Sequence, residues 1–449
     1  MNYQWQCQPK AESLVLDLLE KACKANTDIA HLQSELLKHT STRLFDWVDH
    51  LIVGRSPSLE KELEACGFIA ETASRTYRLF HHPGAQLPRV VVKDHDQPIA
   101  GVAVSVDSIA DFLMVRGVSR WIEGTPLSPF RRCCFSTEKS VSLWIIERRG
   151  TVGIEPVYQE DAAIEKYLEA IEKWQSRPRH AVDADDVALM DKTLALAYDL
   201  IMLLGQERAA WVVLEVERKY WQARNSAGQI QKNRQDRLGM GWANHDHHTF
   251  RSSRRHFHQL VRLFETLGFH CRERYYAGKE AGWGAQVMEN PICKLVLFLD
   301  VDLHPNELKV DFAHEPMDDL PTLGTVGLWC ALHGDSVFAG GMHHLEAQFM
   351  FDELSQDLGH AGIRMMEPFS QFTYLKQAFT AGEVWPVEPK RVHDLVKQGK
   401  ITQEHADKFV AFGAVGSHLE NLQRREGYKG FNQKNVSVII KKTDPRTIS

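Results

Sequence analysis

The chain has 449 residues, and its 53 Lys and Arg against 59 Asp and Glu leave a formal charge of −6 with histidine neutral. Its 43% hydrophobic and 25% charged content is that of an ordinary globular protein, which excludes a disordered, collagenous or low-complexity chain. The slight acidic excess argues against binding to nucleic-acid phosphates. We find neither a signal-peptide pattern nor an uncharged apolar run of about 18 residues, and therefore expect a cytoplasmic protein without membrane spans.

The first part of the chain predicts helices followed by a mixed module. Apolar residues recur at helical spacing from residue 11 to about 40, so we expect amphipathic helices within residues 1–43. A first module of strands and helices is predicted over residues 44–157. It opens with a short apolar strand at residues 45–53 and ends with the strand Val141–Arg148.

The rest of the chain predicts a connector, a second module and a cover. Long helical patterns over residues 158–240 indicate a helical connector, whose Leu and Trp stripe is typical of a packing face. A sequence pattern typical of strands returns over residues 241–345 and predicts a second mixed module. Residues 346–449 are expected to form a C-terminal helical and covering region.

The two modules resemble each other in the order of their elements. The strand containing His50 is followed by a helix, Gly67 and further strands, and the strand containing His247 is followed by a helix, Gly268 and further strands. Each unit is therefore predicted to have the element order βαβββ. We predict an α+β protein in which paired βαβββ modules form an open barrel, with helical N-terminal, connector and C-terminal elements.

This repeat suggests a metal site. If the first strands of both modules approach one cavity, His50 and His247 face each other there, and one carboxylate would complete the site. Two His and one carboxylate leave coordination positions open, which is the arrangement that non-haem Fe(II) oxygenases use. The eight cysteines contain no Cys-x-x-Cys pair, so neither a thiolate zinc site nor a disulfide framework is predicted.

Strand alternation places the guanidinium of Arg251 on the same strand face as His247. His247 and Arg251 are four residues apart, so they point the same way in a strand, whereas His248 and Phe250 point the other way. A metal and a guanidinium on one face could hold a 2-oxo acid by its oxo and carboxylate groups. The alternative is that His247 is a core histidine and Arg251 an ion-pair partner.

Several acidic residues compete for the carboxylate position. Glu147 lies in an apolar strand, where an unpaired carboxylate is expensive unless it binds a cation; its alternative is an ion pair with a nearby Arg such as Arg149. Asp300 and Asp302 occupy the corresponding strand of the second module. A separate candidate site further along the chain consists of His343, His344 and Glu346.

Three motifs resemble the 2-oxoadipate dioxygenase/decarboxylase family, also called hydroxyglutarate synthase, of the vicinal-oxygen-chelate superfamily. His247 and Arg251 reproduce its His-x-x-x-Arg strand, and the following Tyr-Tyr strand and Ala-Gly turn at residues 275–282 are similar. Asp49-His50-Leu51 resembles its Asn-His-Leu motif, and residues 146–150 resemble its acidic strand. In this chain the last two motifs precede the His/Arg motif, which reverses the family's order.

The resemblance implies Fe(II) bound by His50, His247 and Glu147. It also implies that Arg251 holds a substrate carboxylate, with Arg55 as the candidate for the Arg that accompanies the second His. The implied reaction is an O₂-dependent decarboxylation and hydroxylation of a 2-oxo acid similar to 2-oxoadipate.

Two other functions remain open at the level of sequence. One is an O₂-independent lyase or isomerase of the same superfamily that uses Zn²⁺, Ni²⁺ or Mn²⁺, because one fold hosts several chemistries. The other is a metal-free binding protein whose histidines are structural. No dinucleotide fingerprint, P-loop or Gly-x-Ser-x-Gly motif is found, so nucleotide binding and serine hydrolysis are not indicated.

Overall fold

The computed structural model describes residues 5–73, 76–181, 185–276, 282–432 and 442–447. The predicted α+β class with paired βαβββ modules is confirmed, because the strands form two sheets and the helices lie between and around them. The Ala-Gly turn at residues 277–281 lies outside the described residues. Within the described part of the chain, no helix combines the length and the apolar character that crossing a membrane requires.

Two N-terminal helices pack on the first sheet through their apolar faces. Helix α1 spans Pro9–Ala25 and α2 spans Thr27–Thr40. Asn26 ends the first helix and begins the second, because its Oδ1 accepts hydrogen bonds from the backbone N–H groups of Asp28 at 3.0 Å and Ile29 at 3.3 Å. This cap places both apolar faces in the core of the first sheet.

The first sheet contains two units rather than the single module that we predicted for residues 44–157. Its elements are β1 (Val48–Gly54), α3 (Pro57–Ala65), β2 (Ile69–Ala73), β3 (Tyr77–His81), β4 (Arg89–Lys93), β5 (Ile99–Ser105), α4 (Ile109–Val115), β6 (Phe130–Glu138) and β7 (Val141–Arg148). The strand order is β2-β3-β4-β1-β5-β7-β6. β1 is parallel to β4 and β5 is parallel to β7, whereas the two first strands, β1 and β5, pair antiparallel at the centre.

Four helices connect the two sheets, in agreement with the helical pattern of that stretch. They are α5 (Asp161–Gln175), α6 (Asp186–Leu204), α7 (Gln206–Gln222) and α8 (Ser226–Asp236). Their buried side chains join the core beneath the second sheet, where Leu194, Val213 and Trp221 belong to one cluster with Phe250.

The second sheet repeats the plan of the first. Its first unit is β8 (His245–Arg251), α9 (Phe257–Thr266), β9 (His270–Tyr276), β10 (Trp283–Asn290) and β11 (Leu295–Asp302), followed by α10 (Thr325–His333). Its second unit is β12 (His344–Gln348), α11 (Phe351–His360), β13 (Ser370–Phe372), β14 (Leu375–Phe379), β15 (Glu383–Trp385), α12 (Pro389–Lys397), α13 (Gln403–Phe412) and β16 (Ala414–Arg424). The strand order is β13-β14-β16-β12-β8-β11-β10-β9, with β15 paired to β16.

The expectation of a helical cover over residues 346–449 is therefore wrong for much of that stretch. β14 and β16 belong to the sheet, and β12 pairs parallel with β16 and antiparallel with β8. Strands β12 to β15 have only three to five residues each and are interrupted by helices, so they give no long alternating run that signals a sheet. The half of the second sheet that contains β12 to β16 therefore comes from this C-terminal stretch.

The two glycines of the predicted repeat end equivalent helices. Gly67 follows α3 with φ +91° and Gly268 follows α9 with φ +82°, conformations that favour glycine. In both, the next residue donates its backbone N–H back into the helix: Phe68 to Leu63 O and Phe269 to Phe264 O, each at 3.0 Å. This is a Schellman turn with a buried Phe after the glycine, and it aims the chain into the next strand.

Candidate metal centre

Four buried side chains of the second sheet form a cluster that could hold a metal ion. They are His247 on β8, His344 and Glu346 on β12, and Glu420 on β16, and one ligand atom from each lies within 4.8 Å of the others. Imidazole and carboxylate are the donors that Fe, Zn and related divalent metals take in proteins. The donor set therefore fits a divalent cation.

Strand register brings these residues together. Glu346 is directly opposite His247 in the β8–β12 pair and directly beside Glu420 in the β12–β16 pair. His344 lies two residues before Glu346, so both side chains point to the same face of the sheet. The adjacent first strands of the two units and the last strand of the second unit thus supply all four residues.

A hydrogen-bonded partner orients His247. Asp246 Oδ1 lies 3.2 Å from His247 Nδ1, which leaves Nε2 directed at the cluster, where it contacts the Glu346 carboxylate. Asp246 is itself held by Arg424, at 3.2 Å for both nitrogen–oxygen pairs, and by Gln86, whose Nε2 donates at 2.8 Å. A carboxylate behind a ligating histidine is the usual outer support of metal sites.

The protonation states suit a metal site. Burial lowers the pKa of His247 and of His344, so both imidazoles are neutral near pH 7 and can offer a lone pair. Burial raises the pKa of Glu420 to about 7. Burial and then repulsion from Glu420 raise the pKa of Glu346 well above its usual range, so Glu346 carries the proton between them.

Two carboxylates side by side in a dry pocket are costly unless a proton or a cation lies between them. Glu346 and Glu420 are 0% and 3% exposed. His344 Nε2 lies 2.9 Å from Glu420 Oε2, and its Nδ1 has no hydrogen-bond partner in the described part of the chain. A bound cation would compensate both carboxylates and take the imidazole lone pairs.

A guanidinium faces the same pocket. Arg251 is 2% exposed, and its Nε and Nη1 have no hydrogen-bond partner within the described ranges. The Asp300 carboxylate is 3.7 Å from Nε, beyond hydrogen-bond length, and burial raises the pKa of Asp300 to about 7. A buried, under-bonded guanidinium beside a metal cluster is suited to bind a carboxylate of a ligand.

The walls of this pocket are largely aromatic. The cavity holds about 60 Å³, which is room for a small ligand only. Such walls exclude water and so strengthen every charge interaction inside. The aromatic side chains that line it are Tyr275, Trp283, Phe298, Phe369, Phe379 and Phe431.

The structure brings together two of the residues singled out from sequence and leaves the others apart. His247 belongs to the cluster and Arg251 lines the same pocket. His50 does not join them: it lies on β1 of the first sheet, where its Nδ1 is 2.7 Å from Asp49 Oδ2. Among the described residues, no cluster of potential ligands contains His50 or Glu147.

The pairing of strands explains why His50 and His247 do not share a site. In the second sheet the residues aligned across the ladder are His247, Glu346 and Glu420, whereas the corresponding positions of the first sheet are His50, Ala103 and Trp144. Each first strand pairs with another first strand of its own sheet, not with its counterpart in the other sheet. The first sheet therefore has one histidine at this position without partner ligands.

Glu147, Arg55 and Asp302 serve other purposes. The Glu147 carboxylate forms ion pairs with Arg131 at 3.0 Å and with Arg149 at 2.8 Å, which is the alternative to metal binding. Arg55 pairs with Asp94 at the surface, 43% exposed. Asp302 accepts three backbone N–H groups at the start of α10 at 2.8 to 3.1 Å.

Sequence reasoning missed Glu420 and gave His344 second place, although a signal for both was present. A His-Leu pair and an acidic strand containing Arg occur twice: once around residues 50 and 147, and again as His344-Leu345 and Glu420 to Arg424. Only the second copies follow the His247/Arg251 strand in the chain. Polar residues at the inward positions of an apolar strand, as in β16, are a further signal.

Comparisons with known proteins add the following. No protein-family model and no curated protein matches the sequence. Similar solved structures include a variant of 4-hydroxymandelate synthase from Streptomyces coelicolor, at 11% identity, covering 89% of this chain and 98% of that one with a TM-score of 0.30. Methylmalonyl-CoA epimerase from Mycobacterium tuberculosis matches at 11% identity over 41% and 89% of the two chains, with a TM-score of 0.23.

A putative hydrolase from Shewanella frigidimarina is 15% identical over 55% of this chain and 98% of that one, with a TM-score of 0.30. At these identities and scores the likenesses carry no argument about function. The fold assignment rests instead on this chain's own topology, in which paired βαβββ units meet through their first strands.

Proposed function

We propose that the protein is a non-haem Fe(II)-dependent dioxygenase that decarboxylates a 2-oxo acid, with His247, His344 and Glu420 as the metal ligands. The main support is the meeting of two neutral imidazoles and a carboxylate in one buried pocket that Arg251 also lines. Two His and one carboxylate on a metal leave positions for substrate and O₂. Fe(II) bound there would supply electrons to O₂ and coordinate the 2-oxo carboxylate.

The side chains around the metal position would bind and orient the substrate. Arg251 would bind a carboxylate with its free guanidinium N–H groups and so fix the orientation of the substrate. Asp246 keeps the proton of His247 on Nδ1, which keeps Nε2 available as a donor. The raised pKa of Glu346 favours its protonated form beside Glu420, and the aromatic walls would exclude water that competes for the open positions.

The test is anaerobic reconstitution with Fe(II), followed by measurement of O₂ uptake and CO₂ release with a panel of 2-oxo acids. We expect turnover by the wild type and none by His344→Ala or Glu420→Gln, which should also bind little iron. His50→Gln is the matched control, since His50 occupies the corresponding position in the first sheet, and it should behave as the wild type. Loss of iron in His50→Gln with retention in His344→Ala would contradict the assignment.

One observation favours a second function. Glu346 is the member of the cluster that is not among the three proposed ligands, and its raised pKa favours a carboxylic acid that could act as a general acid or base in a reaction without O₂. A lyase or isomerase that uses Zn²⁺, Ni²⁺ or Mn²⁺ would turn over under nitrogen and lose activity in Glu346→Gln. A metal-free binding protein would bind a carboxylate through Arg251 with the same affinity before and after chelation.

A further inference from the structure

A second cavity lies between the two sheets and is separate from the metal pocket. Its volume is about 270 Å³. Its walls come from three parts of the chain: residues 45–49, 86–88, 105–107 and 148–149 of the first module, the connector helix α7, and the start of β8 with the β10–β11 turn. A cavity at a junction of two units is a common place for a small-molecule site.

A buried guanidinium faces this cavity. Arg218 on α7 is 6% exposed, and its Nη1 lies 3.5 Å from His245 Nδ1. That nitrogen is also 2.8 Å from the Trp242 carbonyl oxygen, which can only accept, so His245 Nδ1 carries a hydrogen and cannot accept from Arg218. Within the described residues no carboxylate forms an ion pair with Arg218; Glu215, three residues earlier on the same helix, interacts with its charge only at longer range.

A lysine adds a second donor. Lys294, in the β10–β11 turn, places its Nζ 3.0 Å from Asp49 Oδ1. Asp49 is already engaged by Arg148 through two contacts of 2.7 Å, so one carboxylate serves two cations and a positive charge remains. The Lys294 side chain is 39% exposed, and partial burial together with the nearby Arg89 and Arg148 lowers the pKa of its ammonium group.

The other acidic groups of the cavity form their close ion pairs with other cations. Asp46 is bound by Arg43 and Glu215 by Lys219, at 2.5 and 2.6 Å. Asp107 Oδ2 accepts the backbone N–H of Trp242 at 2.8 Å and does not form an ion pair with Arg218 or Lys294. The apolar part of the wall is formed by Phe45, Leu87, Pro88 and Trp211.

We propose that this cavity binds a small organic anion, whose carboxylate is held by Arg218 and Lys294 and whose apolar body lies against the aromatic and proline side chains. A carboxylate would give Arg218 the charged hydrogen bonds that it lacks. The volume of about 270 Å³ and the mixed wall favour an organic anion over a bare inorganic ion.

The cavity also touches the support of the metal centre. Gln86 and Gln348 line it, and both donate to Asp246 Oδ2, at 2.8 and 3.4 Å. Asp246 in turn orients His247 through Nδ1. An anion in the cavity therefore lies against side chains that hold a proposed ligand in place, and its binding is expected to change metal affinity. The anion site itself does not depend on the proposed oxygenase activity.

Chemical labelling of Lys294 tests the site on the intact protein. The rate of acetylation at Lys294, measured by mass spectrometry, should fall severalfold in saturating benzoate, while the exposed Lys192 on α6 is labelled at an unchanged rate. Protection by inorganic phosphate but not by benzoate would overturn the assignment to an organic anion. An unchanged labelling rate in both would overturn the site.

Matched variants separate this site from the metal pocket. Arg218→Met should abolish the protection by benzoate, and it should weaken benzoate binding at this site at least about tenfold, as expected for loss of a charged hydrogen bond. Arg237→Met, at the C-terminal end of α8, is the control for the substitution. Arg251→Met should leave Lys294 protection intact; if it removes the protection, the anion binds in the metal pocket and the proposal is wrong.

Discussion

Replacing Asp300 with Asn should stabilise the protein, and increasingly so as the pH rises. Asp300 is 4% exposed on β11, and Arg251, its counter-charge, is too far away for a hydrogen bond. Burial therefore raises the pKa of Asp300 from 3.8 to about 7, although Arg251 opposes the rise. An aspartate with a raised pKa in the folded state destabilises that state whenever it must ionise.

The size of the effect follows from the two pKa values. The pKa of Asp300 is 3.8 in the unfolded state and about 7 in the folded state. At ~1.4 kcal/mol for each pH unit, this difference amounts to about 4 kcal/mol once the folded carboxyl has ionised. Below pH 3.8 the group is protonated in both states and costs nothing. The loss of stability starts above pH 3.8 and is complete just above pH 7. At pH 5 it is below about 2 kcal/mol by the same relation.

Urea unfolding of the wild type and Asp300→Asn at pH 5, 6, 7 and 8 measures this difference directly. The variant should gain under about 2 kcal/mol at pH 5 and about 4 kcal/mol at pH 8, because Asn cannot ionise. Asp191→Asn, at an exposed helical position, is the control and should show a flat, small difference. A gain that does not grow between pH 5 and 7 would refute the explanation that burial raises the pKa of Asp300.

Further predictions concern the metal and the substrate. Asp246→Asn should weaken metal binding about 10- to 100-fold, measured by competition with a chelator, because His247 loses its charged support. Arg251→Met should raise the KM for a 2-oxo acid about 10- to 100-fold with bound metal unchanged; an unchanged KM would place the carboxylate elsewhere. Asp300→Asn should flatten a rise in KM between pH 6 and 8, since ionised Asp300 competes for Arg251; an identical slope in both proteins would contradict this competition. Treatment with EDTA should abolish turnover, and Fe(II) should restore it in the wild type but not in Glu420→Gln.

Features that depend on neighbours along the chain could be read from the sequence. Alternation places His247 and Arg251 on one face of a strand, and the structure has both in one pocket. The helix, the Gly-Phe turn and the following strands in each module are also local patterns, and both turns have the same hydrogen bonds. In contrast, β12 to β15 in the C-terminal half of the second sheet have three to five residues each, too few to be recognised as strands without their partners.

The sequence by itself determined the α+β class, the repeated βαβββ units and the face that His247 and Arg251 share, because periods of two and 3.6 residues express local geometry. Only the tertiary structure decided which strands lie side by side. It placed β12 and β16 next to β8, so that Glu346 and Glu420 meet His247, and it placed Ala103 beside His50. Strand pairing joins residues that are far apart in the chain through backbone hydrogen bonds, which no local pattern specifies, and so the second imidazole and the carboxylate of the site could not be chosen from spacing alone.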